Sequence, residues 1–356
     1  MEKKQKTYSL LQLTSQFILK SKTGRRLQPN GKRISAATIR NYSYLYKHLE
    51  AFEQIRLNSG YEPLRVKSIR QSNAKTMNVE KNYWNRFYFA FTDYLYRQGC
   101  YDNYVGTIIK QLRSVFRYAE LELMIPVGPF YKSFHVPKDE VSITTLNPER
   151  LAILINHDEI SKRLTKELLD VKDIIVFGCT VALRFGDLFT IRKTDIRLVG
   201  DKKYLEVRSQ KTNTVTRVLL PKYALDIVDR QLKKERPTVF EPICLNWFNL
   251  SMRRVFEQLG WTEEIGKERS QRGRHKHIMH PVRNKPYRFC DAASSHLMRR
   301  TAITTMLMNG VPEMVVKKIS GHSGNSKAFY RYVNLVQVYL DNSVESHFEK
   351  MMSIGS

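Results

Sequence analysis

The segment from Ser294 to Val336 is punctuated so closely that it leaves the backbone few options. Gly310 and Pro312, then Gly321, divide a helix-forming run into three pieces. Ser294 or Ser295 can cap the first helix, Gly310 ends it, Pro312 opens the second and Gly321 stops that one. His296 and Arg299, at i and i+3, project from one face of the first helix. His322 is held at the turn after the second, and Tyr330 and Tyr332 lie in the third. A histidine and an arginine on one helix, a second histidine at a turn and then a tyrosine form an arrangement for attacking a phosphodiester.

These residues resemble those of the tyrosine recombinases, the phage-integrase family. In that family His-x-x-Arg is followed by Gly-His and, about nine residues later, by the nucleophilic tyrosine. Here the order is His296-Leu-Met-Arg299, Gly321-His322 and then Tyr332. Upstream, CTVALRFGDLFTIRKTDI resembles the family's first arginine box, with Arg184 at the arginine and Asp187 at the acidic position. The stretch DKKYLEVRSQKTNTVTRVLLP alternates as two strands around a short turn. Lys211 stands there where the family carries a lysine on a mobile β-hairpin. The resemblance therefore implies a catalytic set of Arg184, Lys211, His296, Arg299, His322 and Tyr332. The ninth residue after His322 is Arg331, so Tyr330 falls one short and Tyr332 one beyond. Tyr332 is favoured because an aliphatic residue follows it, as in the family, with one extra residue in the loop SGNSKAF. Tyr330 remains the alternative.

Composition agrees with a polyanionic partner. The chain of 356 residues carries 60 Lys and Arg against 34 Asp and Glu, a formal charge of +26. Nucleic acid is the leading candidate. The sequence contains neither a run long and apolar enough for a membrane span nor a signal-peptide pattern, so a cytoplasmic location is expected. Cys100, Cys179, Cys244 and Cys290 lie far apart and read as reduced, mostly buried thiols. His275, His277 and His280 suggest zinc, but Arg274 and Lys276 are interleaved with them and no cysteine or carboxylate completes a set. A basic loop or hairpin near DNA is the preferred reading of that segment. With no P-loop motif for ATP and no acidic cluster for Mg²⁺, no cofactor is expected.

Taken in order, residues 7–21 form an apolar-periodic run, and Ser35 signals the start of a second helix. KNYWNRFYFAFTDYLYRQG and NYVGTIIKQLRSVFRYAELE supply a third and a fourth. Tyr42, Tyr44 and Tyr46 read as core and rim of a bundle. The proline-containing segment from Met124 to Thr145 reads as a linker, and Asn147-Pro148 as the start of a new helix. The fold class is mainly α with a small antiparallel sheet. The resemblance implies a helical (SAM-like) core DNA-binding domain over 1–140 and a catalytic domain over 141–356. A C-terminal tail helix carries Leu335, Val338, Tyr339, Leu340, Val344 and Phe348 on one apolar face, which in the family often docks on a neighbouring protomer. No remote arm-binding domain is expected ahead of the first helices.

The expected function is that of a site-specific DNA recombinase or integrase acting through a 3′-phosphotyrosine intermediate, in integration or excision of a mobile element. Expected partners are double-stranded DNA and further copies of the chain, as a tetramer on DNA. An accessory DNA-bending protein is allowed, and no membrane is involved. The rivals are type IB topoisomerase-like relaxation and a silent architectural DNA-binding factor. Taken singly, each site residue reads equally well as solvated surface. Six in a fixed order do not.

Overall fold

The helical periodicity of the first 130 residues is realised around an aromatic core. The computed structural model of the chain describes residues 6–69, 74–210, 214–324 and 326–354. Lys211 lies outside the described residues, as do the side chains of Val338, Tyr339 and Leu340 in the tail. The chain forms two units, Met1–Val141 with Glu268–Ile278 (unit 1) and Ser142–Lys267 with Met279–Ser356 (unit 2).

Unit 1 opens with β1 (Thr7–Ser9) and α1 (Leu10–Lys22), followed by α2 (Ala36–Asn58), β2 (Arg65–Lys67), α3 (Ala74–Arg97) and α4 (Asp102–Leu121). The apolar run from residue 7 is therefore not all helix. The Ser9 hydroxyl accepts from the Gln12 amide at 3.3 Å and caps α1, so Thr7–Ser9 stays extended and pairs with β2, Tyr8 opposite Val66. Ser35 caps α2 as its sequence indicates, accepting from the Thr38 amide at 3.2 Å. Trp84, Phe87, Phe91 and Phe116 fill the core, each ring contributing about 1.5–3 kcal/mol by burial. Tyr42 and Tyr46 pack against this core, whereas Tyr44 is exposed. The expected linker is only partly one, because Ile125, Val127, Tyr131 and Phe134 are buried in the same core. Further along it, Pro137 crosses α4 so closely that a Cβ on Gly106 would lie 2.0 Å from its carbonyl oxygen.

Unit 2 begins with α5 (Pro148–Ile155), α6 (His157–Ser161), α7 (Lys166–Val181) and α8 (Phe185–Leu188). Asn147 caps α5, accepting from the Arg150 amide at 2.9 Å, with proline at the first turn. The sheet β3 (Ile196–Val199), β4 (Lys202–Arg208) and β5 (Val215–Leu219) is antiparallel in that order, with Leu205 opposite Val218. Its third strand, β3, is mostly exposed although three of its four residues, Ile196, Leu198 and Val199, are apolar. Then come α9 (Lys222–Leu232), α10 (Leu245–Gln258) and β6 (Glu264–Ile265). The chain next contributes β7 (Glu268–Gln271) and β8 (Arg274–His277) to unit 1, and returns for β9 (Tyr287–Arg288) and α11 (Phe289–Ala292). It closes with α12 (His296–Met308), α13 (Glu313–Ser320) and α14 (Lys327–Ile354). Helix α7, buried along most of its length, is central to the unit 2 core.

The β7–β8 hairpin turns through Arg272 and Gly273, both at positive φ (57° and 72°), as a tight two-residue turn requires. Carboxylates of unit 1 hold it: Asp139 accepts from the Ser270 amide at 2.8 Å, and Asp102 from the amides of Arg272 and Gly273 at 2.8 and 2.9 Å. Its outer strand, with Arg274, His275, Lys276 and His277, is exposed. Among the described residues no group of three or more His, Cys, Asp or Glu could hold a metal ion, and no helix is long and apolar enough to cross a membrane.

Candidate active site

The site is assembled where α7 ends. Ala182, fully buried, adopts a left-handed conformation (φ 55°, ψ 18°) that costs a non-glycine residue about 1 kcal/mol. That bend brings Arg184 to the N-cap of α8 and turns the Ala182 carbonyl to Arg299, whose Nη1 donates to it at 2.7 Å. Asp187, one turn into α8 and 3 % exposed, accepts from the Ser209 hydroxyl and from the Gln210 amide, both at 3.0 Å. Arg184 Nη1 donates to that same Ser209 hydroxyl at 3.0 Å. A hydroxyl has one proton to give, so Ser209 gives it to Asp187 and accepts from Arg184. Asp187 thus fixes the stem of the β4–β5 hairpin immediately ahead of Lys211. From the other side, Gly321 ends α13 at φ 62°, and a Cβ there would lie 3.1 Å from Thr214 Oγ1 on the same stem.

Arg299 projects from α12 into this corner and is 8 % exposed. Its Nη2 lies 3.4 and 3.5 Å from the two ring nitrogens of His322. His322 is fixed by its own amide, which donates to the Lys317 carbonyl at 3.0 Å, and by Ser320, whose Oγ lies 2.8 Å from Nδ1. Tyr332 is half-buried on α14, its ring centroid 6.1 Å from that of His322. Beneath the group lies a small apolar cluster, Ala182, Ala302, Ile303, Val316 and Phe329, against which Tyr332 packs. Tyr330 points elsewhere: it is 48 % exposed, with the Lys317 ammonium 4.6 Å from its ring centroid.

The electrostatics are those of a cavity short of negative charge. Burial, and then the neighbouring Arg184, push the Arg299 guanidinium down to about 10, while Tyr332 and Asp187 pull the other way. Burial also depresses His322, with Arg299, Arg184 and Lys317 adding to it, to about 4, so the imidazole is neutral at physiological pH. Arg299 has no carboxylate within ion-pairing distance among the described residues. Buried cations normally have one.

Of the residues singled out by sequence, the fold brings Arg184, Arg299, His322 and Tyr332 together, with Asp187 behind them. His296 is exposed at the first residue of α12, whereas Arg299, three residues on, is buried. The cap expected from Ser294 or Ser295 is not made by a side chain. Ser295 occupies the N-cap position in helical conformation (φ −52°, ψ −28°), where its hydroxyl does not reach the amides, and its own amide donates to Asn249 at 2.8 Å. Sequence reasoning missed Ala182, Ser209 and Ser320. Only Ser320 carried a usable signal, by standing directly before Gly321-His322.

The phage integrase family profile matches residues 146–337. No curated protein matches the chain. Among solved structures, the Tn1549 transposon integrase in complex with transposon right end DNA is similar over 92% of this chain and 94% of that one, at 14% identity and a TM-score of 0.57. A lambda integrase dimer bound to a COC' core site covers 92% of this chain and 77% of that one, at 14% identity and 0.55. XerH site-specific recombinase bound to palindromic difH substrate covers 90% and 80%, at 14% and 0.55. At such identities the likeness is one of fold. With the family profile spanning more than half of the sequence, and Arg184, Arg299, His322 and Tyr332 inside the matched span, this chain belongs to the phage integrase family and is a tyrosine-type site-specific recombinase.

Proposed function

We propose that the protein cuts and rejoins duplex DNA through a 3′-phosphotyrosine intermediate, with Tyr332 as nucleophile, in the integration or excision of a mobile element. The observation that carries this reading is the convergence of Arg184 and Arg299 beside Tyr332 in a corner where, among the described residues, Arg299 has no carboxylate partner. A phosphodiester supplies the missing negative charge. Two guanidiniums clamp its non-bridging oxygens and stabilise the charge that builds in the transition state. The Tyr332 oxygen bonds to phosphorus, the bond from phosphorus to the 5′ oxygen breaks, and Lys211 protonates the leaving 5′ oxygen. His296 and His322 handle protons and hydrogen bonds at the same phosphate. The energy of the phosphodiester is kept in the tyrosyl ester, so a 5′-hydroxyl from another strand reverses the step without ATP or metal.

In this reading residues 1–140, with the β7–β8 hairpin of unit 1, are the core DNA-binding domain, gripping phosphates with Lys and Arg, and the rest of 141–356 is the catalytic domain with its tail helix. The assembly is a tetramer on paired sites. It takes support from similar folds seen on transposon-end DNA and as a lambda integrase tetramer bound to a Holliday junction. An accessory DNA-bending protein fits such an assembly.

The test is a nicked suicide duplex carrying the element's end, incubated with wild type, Tyr332→Phe and Tyr330→Phe in EDTA. A covalent protein–DNA band lost only in Tyr332→Phe is expected. Loss only in Tyr330→Phe would move the nucleophile, and absence of any covalent product on a duplex that the protein binds would replace the reading with a DNA-binding factor.

A further inference from the structure

Ser320 is 2 % exposed at the last turn of α13, two residues before His322. Its Oγ lies 2.6 Å from the Val316 carbonyl oxygen, 3.4 Å from that of Lys317 and 2.8 Å from His322 Nδ1. The hydroxyl has a single proton, and two of these contacts are short. If that proton went to Nδ1, the hydroxyl and the Val316 carbonyl would face each other at 2.6 Å with lone pairs only, a repulsive contact. If it goes to Val316, all is satisfied: Oγ donates to the carbonyl and accepts from a protonated Nδ1. Among the described residues, the charged groups that act on the ring are all cations, and the aromatic rings beside it are a phenyl and a phenol. Arg299 is on α12, Arg184 precedes α8, Lys317 is on α13, and Phe329 and Tyr332 are on α14. None of them stabilises an imidazolium, so a second ring proton is disfavoured and Nε2 keeps its lone pair.

We infer that Ser320 is a positioning residue: it holds His322 as the Nδ1–H tautomer, so that Nε2 accepts the phenolic proton of Tyr332 during attack. This rests on the reading of Tyr332 as the nucleophile. In the step, the Tyr332 O–H bond breaks as its oxygen bonds to phosphorus, and the proton goes to His322 Nε2. The 5′ oxygen leaves with a proton from Lys211, and religation returns both. The depressed basicity of His322 describes the site without DNA. A scissile phosphate brings negative charge among Arg184, Arg299 and Lys317 and raises the imidazole toward the range where it takes up a proton.

The experiment has two readouts on the full chain. Long-range ¹H–¹⁵N correlation of ¹⁵N-histidine protein without DNA at pH 7, with the His322 signals assigned by His322→Gln, reads the tautomer directly. Wild type and Ser320→Thr, which keeps the hydroxyl, are expected to show Nδ1 protonated and Nε2 bare, and Ser320→Ala a mixture. Single-turnover cleavage of the suicide duplex should fall roughly tenfold in Ser320→Ala, at unchanged DNA affinity, and recover in Ser320→Thr. A protonated Nε2 in the wild type overturns the assignment, as does Ser320→Ala with an unaltered tautomer and rate. Because the tautomer is read without cleavage, a wild type that shows it but forms no phosphotyrosine would sink the functional reading instead.

Discussion

Unit 2 contains two arginine-rich clusters made of the same parts and left in opposite states. In one, Arg288 and Arg283 converge on Asp291, with His280 Nε2 at 4.0 Å. Arg288 donates to both carboxylate oxygens, at 3.1 and 3.2 Å, and Glu257 takes another of its nitrogens at 2.8 Å. Burial alone would raise the Asp291 carboxyl, but hydrogen bonds and charge from Arg288, then the charge of Arg283, outweigh it and hold the group at about 2. The Arg288 guanidinium is raised in turn, first by its hydrogen bond to Asp291. In the other cluster, burial and Arg184 depress Arg299, and Asp187, the one nearby carboxylate among the described residues, is occupied by Ser209 and Gln210. The first cluster is closed and supports the fold around β9 and α11. The second is held open by its surroundings: among the described residues neither Arg184 nor Arg299 has a carboxylate partner, and an anion that enters this low-dielectric corner is stabilised by both.

The largest effect that separates the two is on cleavage. Arg299→Gln removes a charge that the fold does not need, so single-turnover cleavage should drop on the order of 10³-fold, about 4 kcal/mol, while urea unfolding shifts by less than about 1 kcal/mol. A loss of stability as large as the loss of rate would make Arg299 a structural cation and erase the contrast.

The converse substitution is Asp291→Asn. It leaves Arg283 and Arg288 facing each other without their anion and should cost about 3 kcal/mol in urea unfolding. Acid separates the clusters as well. The stability held by Asp291 is complete above its unfolded pKa, the usual carboxylate range, and is lost as pH falls toward 2, so Asp291→Asn should flatten that window. His322 is favoured neutral, so its contribution is complete above about 6.5 and declines from there toward pH 4. Asp291→Asn with wild-type stability would show that the closed cluster is ornamental.

What was legible in the sequence is what the backbone decides locally. Ser35, Asn147-Pro148, Gly310, Pro312 and Gly321 end or begin helices through their own dihedrals and side chains, and they do so here. The site's arginines and histidines were legible by resemblance of short motifs. Ser209 was not, because its meaning lies in standing between Arg184 and Asp187, more than 20 residues away. Ala182 was not, because nothing in Val-Ala-Leu marks a left-handed residue. Nor was the docking of the β7–β8 hairpin, which depends on Asp102 and Asp139 over a hundred residues earlier. Spacing left Tyr330 and Tyr332 on either side of the family's usual place; in the fold one faces Lys317 and the other His322.

The smallest effect is also the most direct reading of an open cluster. Sulfate mimics the charge and tetrahedral oxygens of a phosphate and does not titrate near neutral pH. At tenfold its dissociation constant it should stabilise the protein by about 1.4 kcal/mol, a rise in Tm of about 3 °C. Sulfate also stabilises proteins generally by exclusion from their surface, so the informative quantity is the difference between variants in the same salt. Arg184→Gln should lose the increment, because one arm of the clamp is gone. Arg288→Gln, though less stable at the outset, should keep it, because its cluster already holds an anion. The increment should grow as pH falls from 7.5 to 5.5. A bound anion favours the imidazolium, so His322 takes up a proton on binding and lower pH drives the coupled reaction forward. An equal increment in wild type and Arg184→Gln, flat with pH, would mean that the corner around Arg299 is no more open to an anion than the one around Asp291.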